Sequence, residues 1–196
     1  MMLDYALQGS KVTLGILAGG RASRLGGRDK AWLQRDGVPQ VVRIARRFSS
    51  ECGTVLISAN GDLDRYLQHG LKAVPDTIQG IGPIAGLQSL ALACTTPWLL
   101  TLPVDIVDAS DCLLRTLVAE GRGGAVAEDD DGLQPLVALY ACDELRAAVT
   151  DALAAGEHAV QALQARLVLP RVRFAGFRFG NLNTPEDLRA AGVDDG

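Results

Sequence analysis

The feature that most constrains this chain is an alternation. Short apolar runs recur along the first two-thirds, and segments with helical spacing lie between them. The runs are "VTLGIL" (12–17), "TVLISA" (54–59), "LKAV" (71–74) and "PWLLTLPV" (97–104). Each is strand-length and ends at glycine, Asn-Gly or proline, or just short of an aspartate. Residues 39–51 place Val41, Val42, Ile44, Ala45 and Phe48 on one side of a helix and arginines on the other. Residues 84–94 read as a buried helix, and Ser110 is placed to cap another that runs to about 120. Strands alternating with helices predict a mostly parallel sheet with helices on both faces. The unbroken apolar run 97–104 suits a strand covered on both sides.

The last third is patterned differently. "GGAVAE" and "LQPLVALY" read as strands joined by the acidic turn "DDDG", with Asp129–Asp131 at a solvated hairpin tip. Helices are expected at 143–154 and about 157–166, and "RFAGFRFGNLNT" is extended. Thr184, Pro185, Glu186 and Asp187 then open a terminal helix, with a threonine cap, proline at the first position and acids in the first turn. No repeat or low-complexity linker interrupts the chain. Its 196 residues suffice for one three-layer α/β domain with a substantial core.

Charge and composition remove several classes. A formal net charge of −4 shows no basic surplus for nucleic acid. No apolar run approaches the roughly 20 residues needed to span a bilayer. "MMLDYALQGSK" lacks the basic region and apolar core of a signal peptide, so a cytoplasmic protein without membrane association is expected. Cys52, Cys94, Cys112 and Cys142 show no metal-ligand spacing and read as four small buried hydrophobes in a reducing compartment.

The segment with chemistry in it is "LAGGRASRLGGRDKAWL", residues 17–33, at the end of the first strand. Ligands of open α/β sheets bind beyond the carboxyl ends of the strands. Gly19 and Gly20 let main-chain N–H groups approach an anion, and Arg21, Arg24, Arg28 and Lys30 supply four cations within ten residues. Neither G-x-G-x-x-G nor G-x-x-x-x-G-K-[ST] fits. The residues alone leave two readings: a polyphosphate site, or a surface turn with solvated arginines.

These residues resemble the signature of the molybdenum cofactor guanylyltransferases, nucleotidyltransferases with a Rossmann-like sheet. That pattern runs LAGG, three residues, Arg–Met or Arg–Leu, GG, one residue, DK, and this chain fills every position. The likeness continues through "GPIAGLQSLA" (82–91), "LPVD" (102–105) and "NLNTPEDL" (181–188). The resemblance implies a nucleotide-binding half at about 11–120 and a pterin-binding half at about 121–191. It implies Mg²⁺-assisted transfer of GMP from GTP to molybdopterin carrying molybdenum, with release of pyrophosphate. Other proteins of the cofactor pathway, or recipient molybdoenzymes, are further partners it suggests.

Matched position by position, the resemblance assigns the nucleotide to Leu17, Ala18, Gly19, Gly20, Lys30, Ser58, Asp76 and Asp105. Lys30, Arg24 and Asp105 form its catalytic set, with Asp105 as metal ligand, and Arg24, Gly27, Asn181 and Asn183 face the pterin. Three positions depart from the family: Ser58 stands where asparagine is usual, Gln134 where histidine is, and Asp105–Ile106–Val107 replaces Asp–x–Pro. No general base stands out, and a phosphate nucleophile, already ionised, needs none. The alternatives are a CTP-using or sugar nucleotidyltransferase of the same fold, or a GTP-binding pathway partner without turnover. Ala18–Gly19–Gly20, instead of the Ala–Ala–Gly of the cytidylyl branch, favours guanine.

Overall fold

The computed structural model describes residues 11–19, 29–121 and 123–193. β1 (Val12–Leu17) is buried along its whole length, as its apolar sequence requires. After it come a 3-10 turn (Lys30–Trp32) and a small hairpin of β2 (Gln34–Arg35) and β3 (Val38–Pro39). Next are α1 (Gln40–Arg47), β4 (Thr54–Ser58), α2 (Leu63–Gln68), β5 (Lys72–Val74), α3 (Pro83–Ala93), β6 (Trp98–Pro103) and α4 (Leu113–Glu120). The trailing part holds β7 (Gly124–Asp129), β8 (Gly132–Ala141), α5 (Cys142–Ala154), α6 (Val160–Arg166), β9 (Arg171–Arg173) and α7 (Pro185–Ala190).

Seven strands among the described residues form one sheet in the order β5-β4-β1-β6-β8-β7-β9. β5, β4, β1 and β6 are mutually parallel; β8 is antiparallel to both its neighbours, and β9 is parallel to β7. The mostly parallel sheet expected from the alternation is therefore observed, with β8 running against it. Side chains of β1 divide between two cores. Val12, Leu14 and Ile16 pack with α1, α4 and Tyr66 of α2, whereas Leu17 packs with α3, α5 and α6 on the other face. No helix among the described residues is long and apolar enough to cross a membrane.

The register lines up the carboxyl ends of the leading strands. Leu17 lies opposite both Ser58 and Pro103, and Ser58 lies opposite Val74. Helix α3 presses directly on this row. A Cβ on Gly86 would sit 2.6 Å from Ser58 Oγ and 2.7 Å from Leu17 Cδ2, so only glycine permits the approach.

Several local expectations are corrected. Helix α4 begins at Leu113, three residues after Ser110. The Ser110 hydroxyl accepts from Cys112 N–H at 3.3 Å, and its carbonyl accepts from Leu113 N–H at 3.0 Å, so Ser110 closes a turn before the helix. The chain turns at "NGD" as expected, and the unpredicted short helix α2 follows it with Asp62 as its cap. Pro135 cannot donate within β8, and the β7–β8 ladder shifts register between Val126 and Ala127. Cys112 is exposed, so only three of the four cysteines are buried.

The largest correction concerns Asp129, which is fully buried and not part of a solvated tip. Its Oδ1 accepts from Asp131 N–H (2.9 Å) and Gln134 Nε2 (3.0 Å), and its Oδ2 from Phe179 N–H (2.9 Å). Burial pushes this carboxyl up. The N–H groups of Phe179, Asp131 and Gly132 and the Gln134 amide outweigh it and hold the carboxyl below its ordinary value.

Candidate active site

The site is built on the row of strand ends. Beyond the last residues of β1, the main chain stays clamped between its neighbours. Ala18 N–H donates to Ser58 O at 2.9 Å, and Leu17 O accepts from Val104 N–H at 3.0 Å. A Cβ on Gly19 would lie 3.3 Å from Asp76 Oδ2 and 3.4 Å from Asn60 Nδ2, so the glycine sits directly against that pair.

Two polar clusters flank this segment. Beyond β6, Lys30 Nζ donates to Asp105 Oδ2 at 2.9 Å and to Asn183 Oδ1 at 2.6 Å. Lys30 and Asp105 are separated by 75 residues yet form a partly buried ion pair, with side chains 18% and 23% exposed. Local structure aims the lysine. The Asp29 carboxylate accepts from Ala31 N–H at 2.9 Å and caps the 3-10 turn. Trp32, two residues on, is buried beside Tyr66 (ring centroids 4.8 Å) under the Arg65 guanidinium (4.1 Å).

Beyond β4 and β5, Asp76 is held on three sides. Ser58 Oγ donates to its Oδ1 (2.7 Å), Asn60 Nδ2 donates to its Oδ2 (2.8 Å), and its own N–H donates to Asn60 Oδ1 (2.9 Å). Ser58, which replaces the family's asparagine, is buried and orients a carboxylate. Asn60, two residues later, supplies an amide to the same cluster.

The loop after Asp105 lacks the family's proline, and the structure shows what holds it instead. From α1, Gln40 Nε2 donates to Ile106 O (2.5 Å) and Arg43 Nη2 to Val107 O (2.8 Å). From the C-terminal segment, Leu182 N–H donates to Asp105 O (2.8 Å) and Phe179 O accepts from Val107 N–H (3.1 Å). Gly180 has φ 63, and a Cβ there would lie 3.1 Å from Val107 Cβ, so this strap also needs glycine.

The structure thus brings Leu17, Ala18, Gly19, Ser58 and Asp76 to one side of the strand row, and Lys30, Asp105 and Asn183 to the adjoining one. Asn181 makes a main-chain bridge with Ile106 and is exposed, while Leu182 between the two asparagines is buried. The Asn183 N–H reaches back to Asn181 O at 3.1 Å, so the segment is turned there and not fully extended. Gly20, Arg24 and Gly27 lie outside the described residues. Asn60 is the sequence alternative to Ser58 as a nucleotide contact, and here the two share Asp76; Gln40 and Asp187 are site residues that the sequence alone does not mark. Of these, only Asp187 had a local signal, its place three residues after Thr184 in a capping box. A hydrogen bond with the Thr184 side chain, joined by the N–H groups of Thr184 and Asn183 and the Lys30 charge, outweighs the opposing effect of burial and holds the Asp187 carboxyl below its ordinary value.

A parallel-stranded sheet with one reversed strand, helices on both faces and polar side chains gathered at the carboxyl ends defines an α/β nucleotidyltransferase fold. The molybdopterin-guanine dinucleotide biosynthesis protein A of Archaeoglobus fulgidus superposes with a TM-score of 0.69 at 20% identity, covering 92% of this chain and 96% of that one. A nucleotidyl transferase from Methanothermobacter superposes at 0.73 with 19% identity, covering 93% and 97%.

The chain belongs to the family of the MobA-like NTP transferase domain, which it matches over residues 14–170. It is 33% identical over 178 residues to a protein of Yersinia pseudotuberculosis named molybdenum cofactor guanylyltransferase, spanning 88% of this chain and 90% of that one.

Proposed function

We propose that the chain transfers GMP from GTP to molybdopterin carrying molybdenum, giving the guanine dinucleotide cofactor and pyrophosphate. The observation that carries this reading is the Lys30–Asp105 pair at the strand ends. A cation suited to phosphate and a carboxylate suited to a metal stand 2.9 Å apart, beside main chain held between its neighbouring strands. The guanine assignment draws on the 33% identity to a named guanylyltransferase and on Ala18–Gly19–Gly20.

The main chain of residues 17–20 would grip the nucleotide, with Ser58 and Asp76 on the side away from Asp105. Lys30, a compact point charge, would neutralise the phosphates. Arg24, Gly27, Asn181 and Asn183 would face the pterin, so the nucleotide is held by about residues 11–120 and the pterin largely by 121–191. Asp105 is one carboxylate, and among the described residues no three His, Cys, Asp or Glu side chains could hold a metal between them. That donor set suits Mg²⁺, which takes one or two carboxylates and completes its shell with phosphate oxygens and water. Mg²⁺ at Asp105 would neutralise charge on the triphosphate.

In the transfer, an oxygen of the pterin's terminal phosphate forms a bond to the α-phosphorus. The bond from that phosphorus to the β-bridging oxygen breaks, and its electron pair leaves with pyrophosphate. The nucleophile is already ionised near neutral pH, so the chain need only position and neutralise two anions. The test is a panel of GTP, CTP and ATP with Mg²⁺ and molybdopterin, followed by identification of the dinucleotide. Pyrophosphate release with GTP alone is expected. Equal rates with ATP or CTP would overturn the guanine reading, and GTP binding without release would leave a binding partner.

A further inference from the structure

We infer that Asn183 is a positioning residue for Lys30, and that the capping box of α7 fixes Asn183 in turn. The inference deepens the proposed function and rests on its placing phosphates at Lys30. The two residues come from opposite ends of the chain, 153 positions apart, yet their 2.6 Å contact is shorter than that of Lys30 with Asp105. An ammonium group has donors only, so the amide oxygen of Asn183 must be the atom that faces it.

The main chain that carries Asn183 is held at several points. Asp187 Oδ2 accepts from Asn183 N–H at 3.0 Å and from Thr184 N–H at 2.8 Å. Thr184 Oγ1 accepts from Asp187 N–H at 3.1 Å, which closes the box. Leu182, one residue earlier, is fully buried with Leu33, Leu188 and Val193, and Leu33 directly follows the 3-10 turn that carries Lys30. The same apolar cluster therefore ties both ends of the contact together.

An amide does for this lysine what Asp105 cannot. The Lys30–Asp105 pair sets a positive charge against a negative one, and a metal at Asp105 would compete for that carboxylate. Asn183 is neutral. It restrains a four-carbon side chain, whose freedom is otherwise costly to lose, and leaves the ammonium charge available for phosphate. The segment read as pterin-facing thus also orders the cation that meets the nucleotide.

The test is a double-mutant cycle read by calorimetric titration of the full chain with inorganic tripolyphosphate and Mg²⁺, a probe with phosphates but no base. Asn183→Ala is expected to weaken binding about tenfold while Lys30 is present, the scale of one charged hydrogen bond. In a Lys30→Ala background the same change should alter binding by less than about twofold, because non-additivity marks residues that act through one another. A helix or folding role alone would weaken both backgrounds equally. Equal losses in both, or none in either, would overturn the inference. Asp187→Ala should reproduce part of the loss and Asp187→Glu, which can still close the box, should restore it; unchanged binding in Asp187→Ala would remove the box from the proposal. Should Asn183→Ala not fold, Asn183→Ser takes its place in the cycle. Wild-type protein that binds tripolyphosphate but not GTP would fell the guanylyl reading and leave the positioning role standing, whereas binding of neither would overturn both.

Discussion

The two halves of the sheet place charge in opposite ways. In the leading half, β5, β4, β1 and β6 bury only uncharged polar groups such as Thr13, Ser58 and Thr101, and the charged side chains of the site collect just past the strand ends. Lys30, Asp105 and Asp76 there are all partly exposed. In the trailing half, the polar centre is inside. Asp129 is sealed from solvent and ties the β7–β8 turn to Phe179. Charge that remains near water can be re-partnered by a ligand, whereas charge buried among main-chain donors is committed to the fold. Loss of function and loss of stability should therefore separate by half.

Lys30→Ala is the sharpest test from the leading side. Transfer should fall at least about 100-fold, near 2.7 kcal/mol in barrier, as for other preorganised charges on a reacting group. Unfolding free energy should change by no more than about 1 kcal/mol, because the ion pair is part-exposed and screened. Single-turnover kinetics and urea unfolding on the same preparation check both halves of the statement. Near-wild-type turnover would remove Lys30 from the chemistry.

Asp129→Asn is the converse. The amide is the same size, but one of its two positions must now present a donor to a donor, at Phe179 N–H or at Asp131 N–H and Gln134 Nε2. A loss of about 2–3 kcal/mol in urea unfolding is expected, with turnover per folded molecule kept. The pH dependence follows from the depressed carboxyl. A group with a lower pKa folded than unfolded stabilises above its unfolded value, and that stability drains away as pH falls through the folded value. Wild type should therefore lose more stability than Asp129→Asn on acidification below about pH 4. Parallel acid limbs would show that Asp129 is not the titrating link.

The same contrast explains what was legible in the sequence. β1, β4 and β6 are continuous apolar runs, so their ends, and with them Leu17, Ser58 and Asp105, could be placed in one row before any coordinates. That the loop after β1 and Asp105 share one edge follows from that row, though the Lys30–Asp105 contact itself does not. The contacts that fix the site could not be read, because their partners are distant and have no periodic signature: Gln40 with Ile106, Lys30 with Asn183. Three aspartates in succession read as solvent-facing because an isolated charge prefers water, and only the folded turn supplies the donors that let Asp129 go inside. Helix α2 has one buried residue, Tyr66, and six residues in all, too little for an apolar period to emerge.

A smaller effect is expected at the edge of the leading cluster. Asn60→Ala removes two of the three hydrogen bonds that hold Asp76, leaving Ser58 Oγ. Asn60 is exposed and Asp76 only half-buried, so each bond is worth about 1 kcal/mol or less, and KM for GTP should rise about three- to tenfold with kcat little changed. A fall in kcat at constant KM would place Asn60 in the transferring step and erase the distinction between the two clusters.

The smallest expected effect sets acidity against access. Cys94 is the more acidic thiol: a hydrogen bond with Cys142, with further bonds from Thr13 and Thr96, lowers it to about 5 against the opposing effect of burial. Cys112, ahead of α4, is also lowered, by hydrogen bonds with the side chains of Ser110 and Thr116. Thiolate fraction alone would direct an electrophile to Cys94. Cys94 is buried between the ends of α3 and β6, however, and Cys112 is exposed. Reaction requires both a thiolate and an approach path, so one equivalent of maleimide at neutral pH should modify Cys112 first and leave transfer unchanged. Peptide mapping after brief labelling checks the order. Modification at Cys94 ahead of Cys112 would mean that the α3 face opens faster than the packing of its core allows, and the leading half would then be the more mobile of the two.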